Sequence, residues 1–458
     1  MTRPPMTDAN TSPLEWLLER ISFAGAASAV ATGDSETPYH ELAATVERWR
    51  SRLLAAGVLA GDVVSIEGEY AAPTIAALLA AADLRAIVVP LSADMRVHHD
   101  RFRRIAQVQW RVSCAAEEIV RCESRAVHPH FDRLRAGGRP GLVLFTSGST
   151  GESKAAVHDL GLLLEKFHVR RQSLRTLVFL QLDHIGGVNT LLYTLANGGA
   201  VIVPADRSPA AVCRAIERHR VELLPASPTF LNLLLLSEEP ARRDLSSLRL
   251  ITYGTEPMPP STLSRLHAAF PGVKLQQTYG LTELGILRSQ SRGSDSLWVR
   301  VGGEGYETKV VDGRLWIRAR SGMLGYLNAE SPFDAEGFFD TGDRVEVDGP
   351  WLRILGRQSE VINVGGSKVD PAAVESVLLE MDGVAEAAVR GEPHPITGQI
   401  VAATVRLARD ESPRDFRVRM RSYCRDRLPD YAVPARVSFG SEPLHSVRFK
   451  CIRRGVDA

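Results

Sequence analysis

Gly141-Leu142-Val143-Leu144-Phe145-Thr146-Ser147-Gly148-Ser149-Thr150-Gly151-Glu152-Ser153-Lys154 decides how this chain is read. The first five residues form a short apolar run of the kind that makes a buried strand. The strand runs into a loop of small, hydroxyl-bearing residues. Glycines let backbone approach a ligand closely, successive N–H groups make an anion nest, and hydroxyls with a lysine add donors. The pattern is built for phosphate. It differs from the Walker A loop, in which Lys-Ser/Thr follows the second glycine directly; here Lys154 stands three residues beyond Gly151. By composition alone, a Ser/Gly-rich surface loop also fits.

The chain has six lysines, at 154, 166, 274, 309, 368 and 450, and its remaining 49 basic residues are arginine. Arginine supplies the ordinary surface charge, so each compact ammonium is worth reading individually. One ends the phosphate-type loop and another lies eight residues from the last residue, Ala458.

With 458 residues, two or three domains are expected. A hydrophobic fraction of 44% with 24% charged residues is that of a globular chain. A net charge of +1 gives no electrostatic case for nucleic acid. The longest apolar runs are far short of a membrane span, and residues 1–13 carry no signal pattern. Five cysteines without CxxC spacing read as free thiols of a reducing cytoplasm.

Strand and helix patterns alternate early. Residues 39–57 are helical and end at Gly57, 62–66 read as a strand, 73–82 as a helix and 86–90 as a second strand. The rhythm returns over 176–204, 221–236 and 248–277. It predicts an α/β fold with doubly wound, mainly parallel sheets. After Trp298 the texture becomes β-rich. Asp312-Gly313 marks one hairpin and Asp348-Gly349 another. A domain change is expected near Gly356, giving domains 1–355 and 356–458. The second is a small α+β unit with helices over 372–380 and 414–428 and strands over 386–390 and 401–407.

Further constellations carry chemistry. Gln277-Thr278-Tyr279-Gly280-Leu281-Thr282-Glu283 ends a strand where ligands sit in parallel sheets. Tyr279 can stack on a purine, and Thr282 and Glu283 are hard oxygen donors suited to Mg²⁺ with phosphates. Asp343, after Thr341-Gly342, can hold a ribose diol; a plain Asx turn fits equally. Gly356-Arg357-Gln358-Ser359-Glu360 leads to Gly365-Gly366, and the tail 443–453 carries Lys450.

In this order these motifs resemble the adenylate-forming acyl ligase superfamily of acyl- and aryl-CoA synthetases, peptide-synthetase adenylation domains and luciferases. Asp183-His184-Ile185-Gly186-Gly187, Tyr253-Gly254-Thr255-Glu256-Pro257 and Gly325-Tyr326 fit the same family. The resemblance covers nearly the whole chain. It implies that Thr146 to Lys154 (Thr146, Ser147, Gly148, Ser149, Thr150, Gly151, Lys154) wraps the ATP phosphates. Gly254, Thr255 and Glu256 lie by the adenine, on which Tyr279 stacks. Thr282 and Glu283 serve the phosphates and Mg²⁺, with Glu283 the metal ligand. Asp343 and Arg357 hold the ribose, and Lys450 bridges the substrate oxygen and the α-phosphate. His184 sits at the mouth of the acid pocket. The C-terminal domain is expected to be mobile, and Gly365 and Gly366 line the thiol route after it rotates.

The resemblance places Ile185, Val188, Phe230, Tyr253, Thr278, Gly280, Gly285 and Ile286 around the acid. They are mostly apolar, which favours an aromatic or short-to-medium acyl acid over a dicarboxylate or an amino acid. Two positions depart from the family. The hinge residue, commonly Asp or Lys, is Ser359, and the glycine usual before the catalytic lysine is Phe449. The expected reaction is ATP-dependent acyl-adenylate formation followed by transfer to a thiol, with CoA as the co-substrate. Alternatives are an acyl or aryl carrier protein, an amine acceptor, or a nucleotide-binding relative without turnover.

Overall fold

The computed structural model describes residues 12–146, 153–446 and 449–453. Two seven-stranded sheets form the large N-terminal part. The first runs in spatial order 63–68 beside 87–92 and 141–146 on one side and 110–113 on the other, all parallel; antiparallel strands 154–159, 325–326 and 118–121 complete its edges. The second orders its strands 274–277, 250–253, 223–226, 175–177, 200–203 and 28–32, all parallel. The antiparallel strand 35–38 closes one edge.

Helices fill the layer between the sheets. Ala72–Asp83 is apolar all round, and every residue from Thr74 to Ala82 is buried, as a helix must be when sheets cover both its sides. Tyr39–Ala56 is amphipathic and stops at Gly57, whose φ of 95° lets its N–H reach back to Leu53 and Leu54. The core here mixes Val64, Val88 and Leu142 of one sheet with Val30 and Val201 of the other. A second core, under helices Pro209–His219, Pro228–Leu236 and Pro260–Ala269, covers the opposite face of the second sheet.

A six-stranded antiparallel sheet follows. Strands 306–311 and 314–319 meet at Asp312-Gly313, both with positive φ (50° and 72°), as a primed turn demands. The second hairpin is shifted by one residue from the sequence reading. Asp348 pairs with Trp351, so Gly349-Pro350 forms the turn, with Gly349 at φ 57°. The proline ring cannot adopt the positive φ that the first turn position needs, and Gly349 takes it.

Residues 362–439 have their own core, with Val374, Leu378, Val389, Val405, Phe416 and Met420 at its centre. Strands 384–394 and 398–407 pair antiparallel, and 436–439 adds in parallel. Helices Pro371–Leu379 and Pro413–Arg425 lie against them. No helix among the described residues is long and apolar enough to cross a membrane.

Gly187 is set by packing. A Cβ there would overlap the carbonyl oxygens of Gln181 and Leu180, neither of which can move without breaking the turn before helix Ile185–Ala196. Gly187→Ala is expected to destabilise the protein by about 3 kcal/mol, read as a lower denaturant midpoint at unchanged m-value.

Candidate active site

The parallel strands of the second sheet end along one edge, and the candidate residues line it. Tyr253 ends one strand and Gln277 the next. Thr278 then donates both its N–H (2.7 Å) and its hydroxyl (3.1 Å) to the Tyr253 carbonyl. A Cβ on Gly254 would sit 2.7 Å from the Thr278 carbonyl oxygen, so only glycine lets the two strand ends come this close. Thr255 follows at φ 75°, a conformation that costs a β-branched residue about 1–3 kcal/mol.

The residues expected to face the nucleotide meet in two clusters. In one, Asp343 is 7% exposed; its carboxylate accepts the Tyr279 hydroxyl at 2.6 Å and the Arg357 Nε at 2.8 Å. Antiparallel pairing puts Asp343 opposite Arg357, and Arg357 also donates to the Thr341 carbonyl. Burial raises the Asp343 carboxyl above its ordinary value, against the pull of Arg357, Tyr279 and Lys450. The Tyr279 ring is itself nearly buried, in the core of the antiparallel sheet, and burial with Asp343 beside it drives the phenol far above its usual range. The tyrosine expected to stack on the adenine also ties its hydroxyl to the proposed ribose carboxylate.

In the second cluster Lys154 opens the strand that returns antiparallel beside Gly141–Thr146, opposite Thr146. Its ammonium lies 5.3 Å from the centre of the Tyr326 ring, and the Tyr326 hydroxyl donates to Glu283 Oε1 at 2.6 Å. The loop lysine and the acidic candidate are thus joined through Tyr326, which sequence reasoning placed in a motif but gave no role. Ser147, Gly148, Ser149, Thr150 and Gly151 lie outside the described residues. Among the described residues no group of three or more His, Cys, Asp or Glu is placed to hold a metal. A single carboxylate is nonetheless the protein donor expected for Mg²⁺ that takes its other ligands from phosphates and water.

His184 is the N-cap of helix Ile185–Ala196 and its Nδ1 accepts the Gly186 N–H at 3.0 Å. Ile185 and Val188 are buried between the sheets, and their helix packs on the short strand Gly285–Ile286. That strand pairs with Gly280–Leu281; a Cβ on Gly280 would meet the Ile286 side chain. Phe230 is fully buried against Phe179, ring centres 4.3 Å apart. Gly365 and Gly366 stand apart from these groups. They form an exposed hairpin turn at φ 57° and 92° and bond to Thr397 and Asn363 of their own unit.

The terminal segment is docked across the strand ends. Glu256, which the family resemblance puts beside the adenine, accepts two main-chain N–H groups, Thr229 at 2.8 Å and Cys451 at 3.1 Å. Glu386 accepts the Leu444 N–H (3.1 Å), the Arg406 Nε (2.5 Å) and the His445 ring. Arg453 forks onto Glu375 at 2.6 and 2.7 Å and also reaches Glu360. None of these partners follows from local spacing. The available signal was a glutamate directly after the tight Gly-Thr turn.

The sequence profile of the AMP-binding enzyme family matches residues 106–327, and that of the AMP-binding enzyme C-terminal domain matches 373–446. The chain belongs to the AMP-binding enzymes. It is 28% identical to an indoleacetate–CoA ligase of Aromatoleum aromaticum, over 85% of this chain and 87% of that protein. It is 29% identical to a feruloyl-CoA synthase of an Amycolatopsis species, over 93% and 94%. Its fold matches the crystal structure of the anthranilate CoA ligase AuaEII in complex with anthranoyl-AMP, with a TM-score of 0.83 over 98% of this chain and 96% of that one, at 21% identity.

Burial alone would raise Glu386, but the bonds from His445, Arg406 and Leu444 outweigh it and hold it down at about 2. With an ordinary value of 4.5 in the unfolded chain, its contribution is complete above pH 4.5 and is lost as pH falls toward 2. Glu386→Gln should cost about 2 kcal/mol at pH 7. Denaturant unfolding of the two proteins should show that difference shrinking through this window.

Proposed function

We propose that this AMP-binding enzyme activates a carboxylic acid, aromatic or short-to-medium acyl, as its acyl-adenylate and then passes the acyl group to a thiol, with CoA as acceptor. The observation that carries this reading is the docked tail: the N–H of Cys451, the residue after Lys450, bonds Glu256 at 3.1 Å, two residues past Gly254 at the carboxyl ends of the parallel strands. The relatives named for indoleacetate, ferulate and anthranilate act on aromatic acids, and the mostly apolar pocket candidates agree with that class. A carrier-protein phosphopantetheine offers the same thiol chemistry and is the alternative acceptor.

The chemistry needs no general base, since the acid is already ionised at neutral pH. Its carboxylate oxygen attacks the α-phosphorus of ATP, the bond to the bridging oxygen breaks, and pyrophosphate leaves. The barrier is the meeting of two anions, lowered by positioning and charge. Lys450 bridges the incoming oxygen and the α-phosphate. Asp343, oriented by Tyr279 and Arg357, accepts the ribose hydroxyls; Gly254, Thr255 and Glu256 border the adenine, on which Tyr279 stacks. Lys154 and Thr146, with the hydroxyls of the intervening loop, take the outer phosphates. Glu283, helped by Thr282, would hold Mg²⁺, which neutralises phosphate charge there. In the second step a thiolate attacks the acyl carbonyl, forms the thioester and expels AMP.

We divide the chain into an N-terminal domain, 1–355, and a C-terminal domain, 356–458, turning near Ser359. Rotation would carry Lys450 away and bring Gly365-Gly366 to the thiol path. Gly366 has nothing within 4 Å of where a Cβ would be, which suits a surface awaiting a partner face. Lys450→Ala should lower acid-dependent pyrophosphate release about a thousandfold, while thiolysis of a supplied acyl-adenylate persists. Equal loss in both half-reactions would overturn the assignment. Glu283→Gln should raise the Mg²⁺ concentration needed for half-maximal adenylation about tenfold and leave thiolysis near its original rate.

A further inference from the structure

We propose that Phe449 is an aromatic latch: by inserting its ring at the strand edge it positions Lys450 for adenylation and narrows the entrance to the acid pocket. The inference rests on the adenylating role of Lys450 and goes beyond it, to the residue that seats the lysine.

The backbone gives the first indication. Phe449 has φ +52°, a region that bulky side chains rarely enter. A residue held there is over-determined by its surroundings. The family resemblance puts glycine at this position, so the chain keeps a glycine-like turn and adds a large ring to it. The turn closes locally, with the Phe449 N–H donating to the Ser446 carbonyl at 2.8 Å and the Ser446 N–H to the Lys450 carbonyl at 2.9 Å.

The ring supplies the second indication. It lies 5.2 Å from Phe179 and 5.4 Å from Phe230, edge-on to the latter, and stacks on His445 at 4.7 Å. The Arg207 guanidinium stands 6.0 Å from its centre and is paired to Asp94. Phe179 lies just past the end of strand 175–177 and Phe230 in the first turn after strand 223–226. Phe449 therefore caps the carboxyl edge of two parallel strands, where ligands bind in such sheets. Its neighbours come from both sides of the closure. Phe179, Phe230 and Arg207 belong to the large N-terminal part, and His445, tied to Glu386, to the terminal segment. Aromatic contacts of this geometry favour the docked state beyond the area they bury. Because Phe230 is also an acid-pocket candidate, the inserted ring shares its space with the acid. Leaving this pocket is then part of the step that precedes thiol transfer.

The test compares Phe449→Ala, Phe449→Gly and Phe449→Tyr in the full-length protein. For Ala, adenylation kcat should fall about thirtyfold, which is about 2 kcal/mol of barrier. The KM for the acid should change and that for ATP should hold, and thiolysis of a supplied acyl-adenylate should be undiminished. Tyr should retain most of the rate. Gly relieves the backbone but removes the ring, so it should resemble Ala. A Gly variant that adenylates as well as the parent, or a loss shared equally by both half-reactions, overturns the latch. Amide exchange supplies a readout free of catalysis. The Cys451 N–H, bonded to Glu256, should exchange at least about tenfold faster in Phe449→Ala than in the parent without any substrate, and unchanged exchange overturns the proposal. If the parent adenylates no acid while the variant still accelerates exchange, the functional reading fails and with it the adenylation role of the latch, and only the seating of the terminal segment by Phe449 stands.

Discussion

The Glu256 carboxylate is the constraint on which the active arrangement depends. One oxygen takes the N–H of Thr229, at the start of a helix in the large domain, and the other takes the N–H of Cys451. Cys451 directly follows Lys450, so this single side chain fixes where the lysine leaves the main chain. Thr255, held at positive φ, turns Glu256 into that position. Glu386 on Leu444 and His445, and Glu375 on Arg453, extend the hold to both sides. Carboxylates receiving N–H bonds at close range make strong, directional contacts, and the Phe449 ring adds apolar contact to the same segment.

Electrostatics organises the nucleotide side in the same way. The site must accept polyphosphate and a carboxylate together, and it answers with cations held in place by neighbours. Arg357 is fixed by strand pairing to Asp343, and Lys154 is set over Tyr326, whose hydroxyl engages Glu283. Tyr279 and Tyr326 each bind a carboxylate at 2.6 Å, orienting groups that would otherwise sample several rotamers. Such preorganisation does its work before the reactants meet.

The parts legible in the sequence are those with a local period. The helix over 73–82, the Gly57 stop and the Asp312-Gly313 turn follow from pattern and backbone chemistry alone, and the structure has each of them, the helix spanning Ala72–Asp83. Strand 28–32, which joins the second sheet beside 200–203, carries only three buried residues and no distinct signal. The second hairpin turns at Gly349-Pro350, one residue beyond the Asp348-Gly349 that the sequence suggests, because Asp348 still pairs with Trp351. The residues proposed to face the nucleotide come from ordered motifs and the family they resemble. Glu256's hold on Cys451 spans 195 residues, and no periodicity reports such a contact. Phe449 was legible as a departure, but the ring's destination depended on Phe179 and Phe230, far away in sequence.

The most direct measurement is acid-dependent pyrophosphate release from ATP across a panel of aromatic and acyl carboxylic acids, with and without CoA. The account predicts release with an aromatic or short-to-medium acid, accelerated by CoA as the adenylate is drawn off as thioester. Pyrophosphate release that no carboxylic acid stimulates would contradict it.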